Sequence, residues 1–295
     1  MSTMNMLIKR NIKLFLRDRA TVFFSFLSTL IIIALYFLFI GKMYRGSEGG
    51  EMSALSGGAQ DFIIYLQMMA GVLVLNSMSL VTGAFATIAR DFESKRIESF
   101  MLAPVKVSEL IISYVFTGFI SSFVINAFTW MLSYLIIGIT TGYWLAIGTF
   151  FTALLILLVA SLISCAIMFL ITALVKSSSA IGVINGISGT FFGFLCGIYV
   201  PYSSLGDGTK AIGSLLPFSH LTIWLKRLVL ENAFLQVGIP TEIQEVMYND
   251  FFSAGNIGFL NMAVPLGVMV GFSLLFGVLC FGISCMSFNR RMKVR

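Results

Sequence analysis

The sequence ARDFESKRIESFMLAPVKVSE, residues 89–109, places eight charged side chains between two long apolar stretches. Residues 62–89 contain no Asp, Glu, Lys or Arg, and neither do the 66 residues 110–175. Uncharged, mainly apolar stretches of about 20 residues or more are typical of helices that cross a bilayer. The segment 90–109 is therefore predicted to be a water-exposed loop that joins two transmembrane helices.

The overall composition also excludes a soluble globular protein. Apolar residues make up 58% of the chain and charged residues 11%, and the mean hydropathy is +0.96. The formal net charge of +6 is a possible sign of nucleic-acid binding. However, the Lys and Arg residues flank the predicted spans, which is the pattern of membrane orientation. No nucleic-acid partner is expected.

Six apolar stretches predict an all-α membrane protein with a single transmembrane domain over residues 1–295. The predicted spans are about 20–40, 62–89, 110–137, 148–175, 178–200 and 257–288. The segment 201–256 contains apolar pieces too short to span, so re-entrant or surface helices on the outer face are predicted there. Fourteen of the 19 basic residues fall on one side of this topology. The positive-inside rule then predicts a cell-membrane protein with both termini in the cytoplasm.

Residues 4–19 predict an amphipathic helix that lies in the cytoplasmic membrane interface. Its apolar face carries Met4, Leu7, Ile8, Ile12 and Phe15. The opposite face carries the four basic residues Lys9, Arg10, Lys13 and Arg17. Such a face suits the anionic headgroups of the bilayer.

The chain lacks the residue patterns of an enzyme or a metal protein. It contains no G-x-x-x-x-G-K-[ST] phosphate loop, one histidine (His220), and no Cys, His or carboxylate cluster with metal-ligand spacing. Ion-coupled carriers usually keep an ionisable group at mid-membrane, and the predicted span centres have none. We therefore expect no catalysis, no metal and no bound cofactor, and an energy source on another subunit.

Three segments in this order resemble the permease subunit of a type-2 ABC exporter. They are KRNIKLFLRDRATVFFSFLSTLIIIALYFLFIG (9–41), ARDFESKRIESFMLAPVKVSELI (89–111) and GIYVPYSSLGDGTKAIGSLLPFSHLTIWLKRLVL (197–230). The resemblance covers essentially the whole chain. It implies an N-terminal connecting helix, a coupling helix in the first cytoplasmic loop and re-entrant helices between spans five and six. Residues 236–255 depart from the commonest pattern of the family and resemble an insertion.

The resemblance also implies partners and site residues. Two copies of a separate ABC ATPase, which binds ATP and Mg, would dock on the loop, and a second permease chain, identical or paralogous, would complete the pathway. The implied coupling residues are Arg90, Asp91, Glu93, Lys95, Arg96 and Glu98. The alternative for these charges is a solvated turn. Spans two and five suggest a substrate pathway at Asn76, Ser79, Gly83, Asn185, Ser188, Phe191 and Phe192. The alternative for these residues is helix packing.

The predicted function is ATP-driven export of an amphiphilic compound such as a drug, an antimicrobial peptide or a lipid-like molecule. Phe191 and Phe192 favour lipophilic cargo, because they would form an apolar constriction in span five. Two alternatives stay open: export of a polysaccharide or teichoic-acid-like polymer, and a membrane sensor or assembly factor that does not transport.

Overall fold

The computed structural model describes residues 3–19, 23, 55–102, 105–175, 177–198, 205–248, 258–259, 262–263 and 265–293. The helices there are α1 (Thr3–Arg17), α2 (Gly57–Glu93), α3 (Arg96–Leu102), α4 (Val107–Thr141), α5 (Ile147–Leu174), α6 (Ser178–Leu195), α7 (Asp207–Ser214), α8 (Pro217–Val237), α9 (Thr241–Val246) and α10 (Leu266–Lys293). Two short strands, β1 (Gly258–Phe259) and β2 (Met262–Ala263), pair antiparallel before α10.

Five of the described helices, α2, α4, α5, α6 and α10, are long and apolar enough to cross a membrane. The first predicted span, residues 20–40, lies outside the described residues except for Phe23. The last helix begins at Leu266, later than the predicted start near 257. Before α10, β1 pairs with β2, and the Pro265 carbonyl accepts hydrogen bonds from the Val268 and Met269 N–H groups in the first turn of the helix.

Helix α2 lies at the centre of the bundle, packed against α4, α5, α6 and α8. Its side chains from Phe62 to Val74 are buried without interruption. Gly71 lets the end of the α6 segment approach, because a Cβ at this position would lie 2.9 Å from the Ile198 side chain. Protein rather than lipid therefore surrounds this half of α2.

The two ends of the α2–α4 hairpin have different structures. At one end α3 and the charged segment connect the helices. At the other end the ring of Phe62 stacks on Tyr143, with 5.6 Å between ring centroids. Helix α4 ends there because Gly142 adopts φ +77° and donates its N–H to the Gly138 carbonyl. The turn to α5 thus lies between Thr141 and Ile147, close to the gap between the predicted spans 110–137 and 148–175.

Helix α8 begins beside α6 and ends beside the turn between α4 and α5. Near its start, Phe218 packs on Phe192 of α6, with ring centroids 5.4 Å apart. Near its end, the Asn232 Oδ1 accepts a hydrogen bond of 2.9 Å from the Ala146 N–H in the α4–α5 turn. Helix α8 is held on its sides by α2, α5 and α10, and its predicted re-entrant position in the membrane stays a prediction.

Helix α1 packs across α4 and also touches α2. Leu7, Asn11 and Phe15, spaced four residues apart, form its buried stripe. Leu7 and Phe15 were predicted to face lipid, but both are buried against protein. The amphipathic pattern could not distinguish these two environments, because a bundle surface and a bilayer bury the same kind of face.

Candidate functional site: the charged loop and its anchors

The loop contains a tight turn between α2 and α3. Lys95 adopts φ 55°, and the Ser94 N–H donates to the Arg90 carbonyl at 2.9 Å. A left-handed residue at this position stops α2 and reverses the chain into α3. The side chains of Lys95 in this turn and of Arg96 and Glu98 in α3 are exposed.

Asp91 points into the protein rather than toward solvent, and it is only 1% exposed. Its Oδ1 accepts a hydrogen bond of 2.7 Å from the Arg10 guanidinium, and its Oδ2 accepts one of 2.6 Å from the Tyr114 hydroxyl. The Arg96 guanidinium lies 3.8 Å from the same carboxylate. We call Arg10, Asp91 and Tyr114 the Asp91 cluster. It joins α1, α2 and α4.

Arg10 was predicted to face anionic lipid, but it is the cation of the Asp91 cluster. Its guanidinium also lies over the Phe100 ring of α3, 5.0 Å from the centroid. Burial opposes its charge, but the hydrogen bond and attraction of Asp91 raise the pKa of Arg10 above its ordinary value. The other predicted lipid-facing cations, Lys9, Lys13 and Arg17, are exposed.

A second ion pair joins the loop to the end of α1. Arg90 donates to the Asp18 carboxylate at 2.8 Å, and both side chains are partly exposed. Two predicted coupling residues, Arg90 and Asp91, are therefore engaged with α1 within the chain. Their roles toward an ATPase stay predictions.

Glu93 links the loop to α6, 85 residues further along the chain. One carboxylate oxygen accepts from the Ser178 N–H and the other from the Ser178 hydroxyl, each at 2.8 Å. This contact was not predicted, because no local pattern connects Glu93 to the serines after span four.

The predicted pathway residues fall into two groups. Asn76 is buried and donates to Asn126 at 3.1 Å, and Asn126 in turn donates to the Leu73 carbonyl. This geometry favours the helix-packing interpretation for Asn76. Asn185 donates to Ser79 at 3.2 Å, so these two predicted residues meet where α6 packs on α2.

The remaining predicted pathway residues are more accessible. Gly83, Ser188 and Phe192 are partly buried, and Phe191 is exposed. Phe191 lines a groove of about 740 Å³ between α6 and α7. The groove is lined by Gly186, Ile187, Thr190, Phe191, Phe194, Leu195, Thr209 and Ile212. These side chains are almost all apolar, which suits a hydrocarbon or aromatic group.

Lys226 lies in the segment 201–256, which is predicted to be on the outer face, yet its side chain is buried in α8 at 3% exposure. Its ammonium donates to the Gly197 carbonyl, just beyond α6, at 3.0 Å. Burial lowers the pKa of Lys226 to about 8. Lys226 lies on the same face of α8 as the buried Thr222 and Val229, and the sequence has no apolar stripe that marks this face.

No metal centre is formed by the part of the chain that the structure describes, because no group of three or more His, Cys, Asp or Glu side chains is arranged to hold an ion. The four cysteines are free thiols. The described part of the site consists of exposed charged side chains on the loop and of hydrogen bonds that connect the loop to α1 and α6.

Comparison with known families accounts for this arrangement. The family model described as ABC-2 type transporter matches residues 3–230, from α1 into α8. A search among curated proteins found no match. The family match covers most of the chain and includes the charged loop and the residues of α1, α4 and α6 that contact it. The chain therefore belongs to the ABC-2 type transporter family, as a multi-pass membrane component that works with an ABC ATPase.

Proposed function

We propose that this chain is the permease subunit of an ATP-driven exporter for an amphiphilic compound, such as a drug, an antimicrobial peptide or a lipid-like molecule. Two ABC ATPase subunits bind ATP and Mg and dock on the loop, and a second permease chain, identical or paralogous, completes the pathway. The observation that carries the proposal is the two-sided loop: Lys95, Arg96 and Glu98 are exposed, while Asp91 is locked inside.

This division suggests how the loop is used. The side chains of Lys95, Arg96 and Glu98 are exposed and present charge to a docking ATPase. Asp91 and Glu93 instead fasten the loop to α1 and α6. Motion of a docked subunit is then transmitted to the membrane helices rather than lost in a flexible turn.

The proposed orientation places the loop and both termini in the cytoplasm. It is supported by the distribution of basic residues along the sequence. In this orientation the exposed Lys9, Lys13 and Arg17 of α1 meet the anionic headgroups of the inner leaflet.

The cargo proposal rests on the groove between α6 and α7. Its polar side chains are the hydroxyl groups of Thr190 and Thr209, and the other lining side chains are hydrocarbon or aromatic. A polysaccharide needs many hydrogen-bond partners along its path, so this lining favours an amphiphile over a polymer.

The test is ATP-dependent accumulation in inside-out vesicles that contain the chain and its co-purifying ABC ATPase. The probes are Hoechst 33342, a fluorescent phosphatidylserine and a labelled dextran. We expect uptake of an amphiphilic probe that vanadate stops and that Phe191→Ser reduces. Ser179→Ala, an exposed serine away from the groove, serves as the control.

Each other outcome points to a different class. Uptake of dextran without uptake of either amphiphile would support the polymer exporter. Absence of both an associated ATPase and ATP-dependent movement of any probe would contradict the exporter and favour the sensor or assembly factor.

A further inference from the structure

Helix α6 is weakly held by packing and is fixed to its neighbours by a few polar contacts. Among its side chains only Ile181 and Leu195, together with Gly193, are buried. In the half of α6 that begins at Ser178, hydrogen bonds to α2 join Glu93 to Ser178 and Asn185 to Ser79, in addition to the packing of the two helices. A helix with this little buried surface moves more easily than α2, which is enclosed on most sides.

Glu93 accepts a hydrogen bond from a backbone N–H at the start of α6. The backbone N–H groups at a helix start have no partner within the helix. The Ser177 hydroxyl accepts from the Ala180 N–H at 3.2 Å, and the Glu93 carboxylate accepts from the Ser178 N–H at 2.8 Å. Glu93 therefore serves as a second cap supplied by a different helix, and its negative charge is favourable at this end of the helix dipole.

Glu93 also lies directly before the turn that leads into α3. Ser94 and Lys95 form this turn, and α3 begins at Arg96. A displacement of α3 therefore moves the Glu93 carboxylate, and through two hydrogen bonds it pulls on Ser178. Glu93 is exposed, and both of its carboxylate oxygens accept hydrogen bonds from Ser178 at the start of α6.

We propose that Glu93 is a positioning residue that transmits motion of the loop to α6, and that it is not a contact for the ATPase. This inference rests on the proposed function, because it assumes that an ATPase moves the loop. It replaces the predicted docking role of Glu93 with an internal one. It also explains why a carboxylate at the end of α2 reaches a serine 85 residues away.

The experiment follows α6 directly and needs no cargo. Thr190→Cys places a thiol on the exposed groove face of α6. The chain and its co-purifying ABC ATPase are reconstituted in nanodiscs, and maleimide labelling is timed with and without ATP and vanadate. Labelling of the chain with Thr190 intact gives the contribution of the native cysteines.

We expect nucleotide trapping to change the labelling rate of Thr190→Cys in the otherwise unchanged chain. Glu93→Ala should reduce that response about fivefold or more, the lower range of typical coupling between sites, while the ATPase still co-purifies. Ser178→Ala should act in the same direction but less, because the Ser178 N–H still reaches Glu93. Ser179→Ala, the adjacent exposed serine, should leave the response intact.

A double variant separates an internal role from a docking role. If Glu93 acts through Ser178, Glu93→Ala combined with Ser178→Ala should be no worse than Glu93→Ala alone. Glu93→Gln retains one acceptor oxygen and should restore part of the labelling response. Such a recovery would show that the loss in Glu93→Ala is not caused by misfolding. An additive double variant, loss of ATPase co-purification in Glu93→Ala, or an undiminished response would overturn the inference.

The same experiment distinguishes failure of the proposed function. If the unchanged chain neither retains an ATPase nor responds to nucleotide, the exporter proposal is wrong, and this inference falls with it. If the unchanged chain responds and Glu93→Ala responds equally, only the inference is wrong.

Discussion

At the residue scale, the buried carboxylate of Asp91 holds together segments that are far apart in sequence. It accepts from Arg10 of α1 and Tyr114 of α4, and it lies at 1% exposure. A buried charge is stable only when it is paired and hydrogen-bonded. Both requirements are met here, so the loop is fixed to α1 and α4 by one side chain.

Replacement of Asp91 by Ala should destabilise the chain far more than loss of the exposed ion pair beside it. Asp91→Ala leaves the Arg10 and Tyr114 donors without this acceptor, and we expect a loss of about 3 kcal/mol. Arg90→Gln breaks the partly exposed pair with Asp18 and should cost at most about 1 kcal/mol. Thermal unfolding of the purified variants in detergent gives both values. Equal losses would contradict an internal role of Asp91.

The burial of Lys226 predicts that the stability of the folded chain depends on pH. The pKa of Lys226 is lowered by burial from 10.5 to about 8 in the folded chain. Between these values the unfolded chain binds more protons, so this residue makes stability rise with pH through that window. From pH 7.5 to 9.5 the gain attributable to Lys226 should be about 2 kcal/mol.

The measurement for Lys226 is a difference between two chains. Lys226→Met keeps an apolar stem of similar length but cannot titrate, so thermal unfolding of both chains at pH 7.5 and 9.5 isolates the lysine. The unchanged chain should gain stability relative to Lys226→Met at the higher pH. A constant difference would mean that Lys226 titrates in the folded chain as it does in water.

At the scale of single elements, apolar runs and the charged segment predicted most of the long helices and the loop between them. Local pattern could not predict which side of an element meets protein. Leu7 and Phe15 of α1 pack on the bundle rather than on lipid, and Asn76 of α2 is buried and donates a hydrogen bond to Asn126 of α4. These outcomes depend on neighbours distant in sequence, which a helical period does not specify.

The sequence likewise predicted where the charged loop lies but not which helices its side chains contact. The position of the loop and its charged character are visible in the sequence, whereas the separation into inward and outward charges is not. Asp91 and Glu93 find partners on α1, α4 and α6, and only the folded chain brings these helices together. The burial of Lys226 was missed for the same reason, because apolar residues lie on most sides of α8 and give no sign of which side chains face the protein.

At the scale of the whole molecule, the loop and the α4–α5 turn lie at opposite ends of the bundle. Gly58 at the start of α2 lies close to the Thr141 carbonyl at the end of α4. The start of α2 and the end of α4 are therefore side by side, at the end of the bundle away from the loop. The proposed orientation therefore predicts opposite accessibility for Ser94 and Thr141. Three of the four native cysteines are buried, which limits background labelling.

The orientation is tested with an impermeant thiol reagent on intact cells. Thr141→Cys should react from outside, as should Ser47→Cys and Ser253→Cys in the predicted outer segments. Ser94→Cys should react only after the membrane is opened, because the positive-inside rule places the loop in the cytoplasm. Labelling of Ser94→Cys in intact cells would reverse the proposed topology.

The central claim is that an ABC ATPase docks on the exposed charges of the loop, and its binding affinity tests this most directly. The measurement is a titration of the co-purifying ATPase against nanodiscs that contain the unchanged chain, Glu98→Lys or Glu242→Lys. Glu98 is exposed on the loop, and Glu242 is an exposed carboxylate on α9, which follows α8 in the chain and lies away from the loop in sequence. The account predicts about tenfold weaker binding for Glu98→Lys, or about 1.4 kcal/mol, and no change for Glu242→Lys. Equal affinity of all three chains for the ATPase would contradict it.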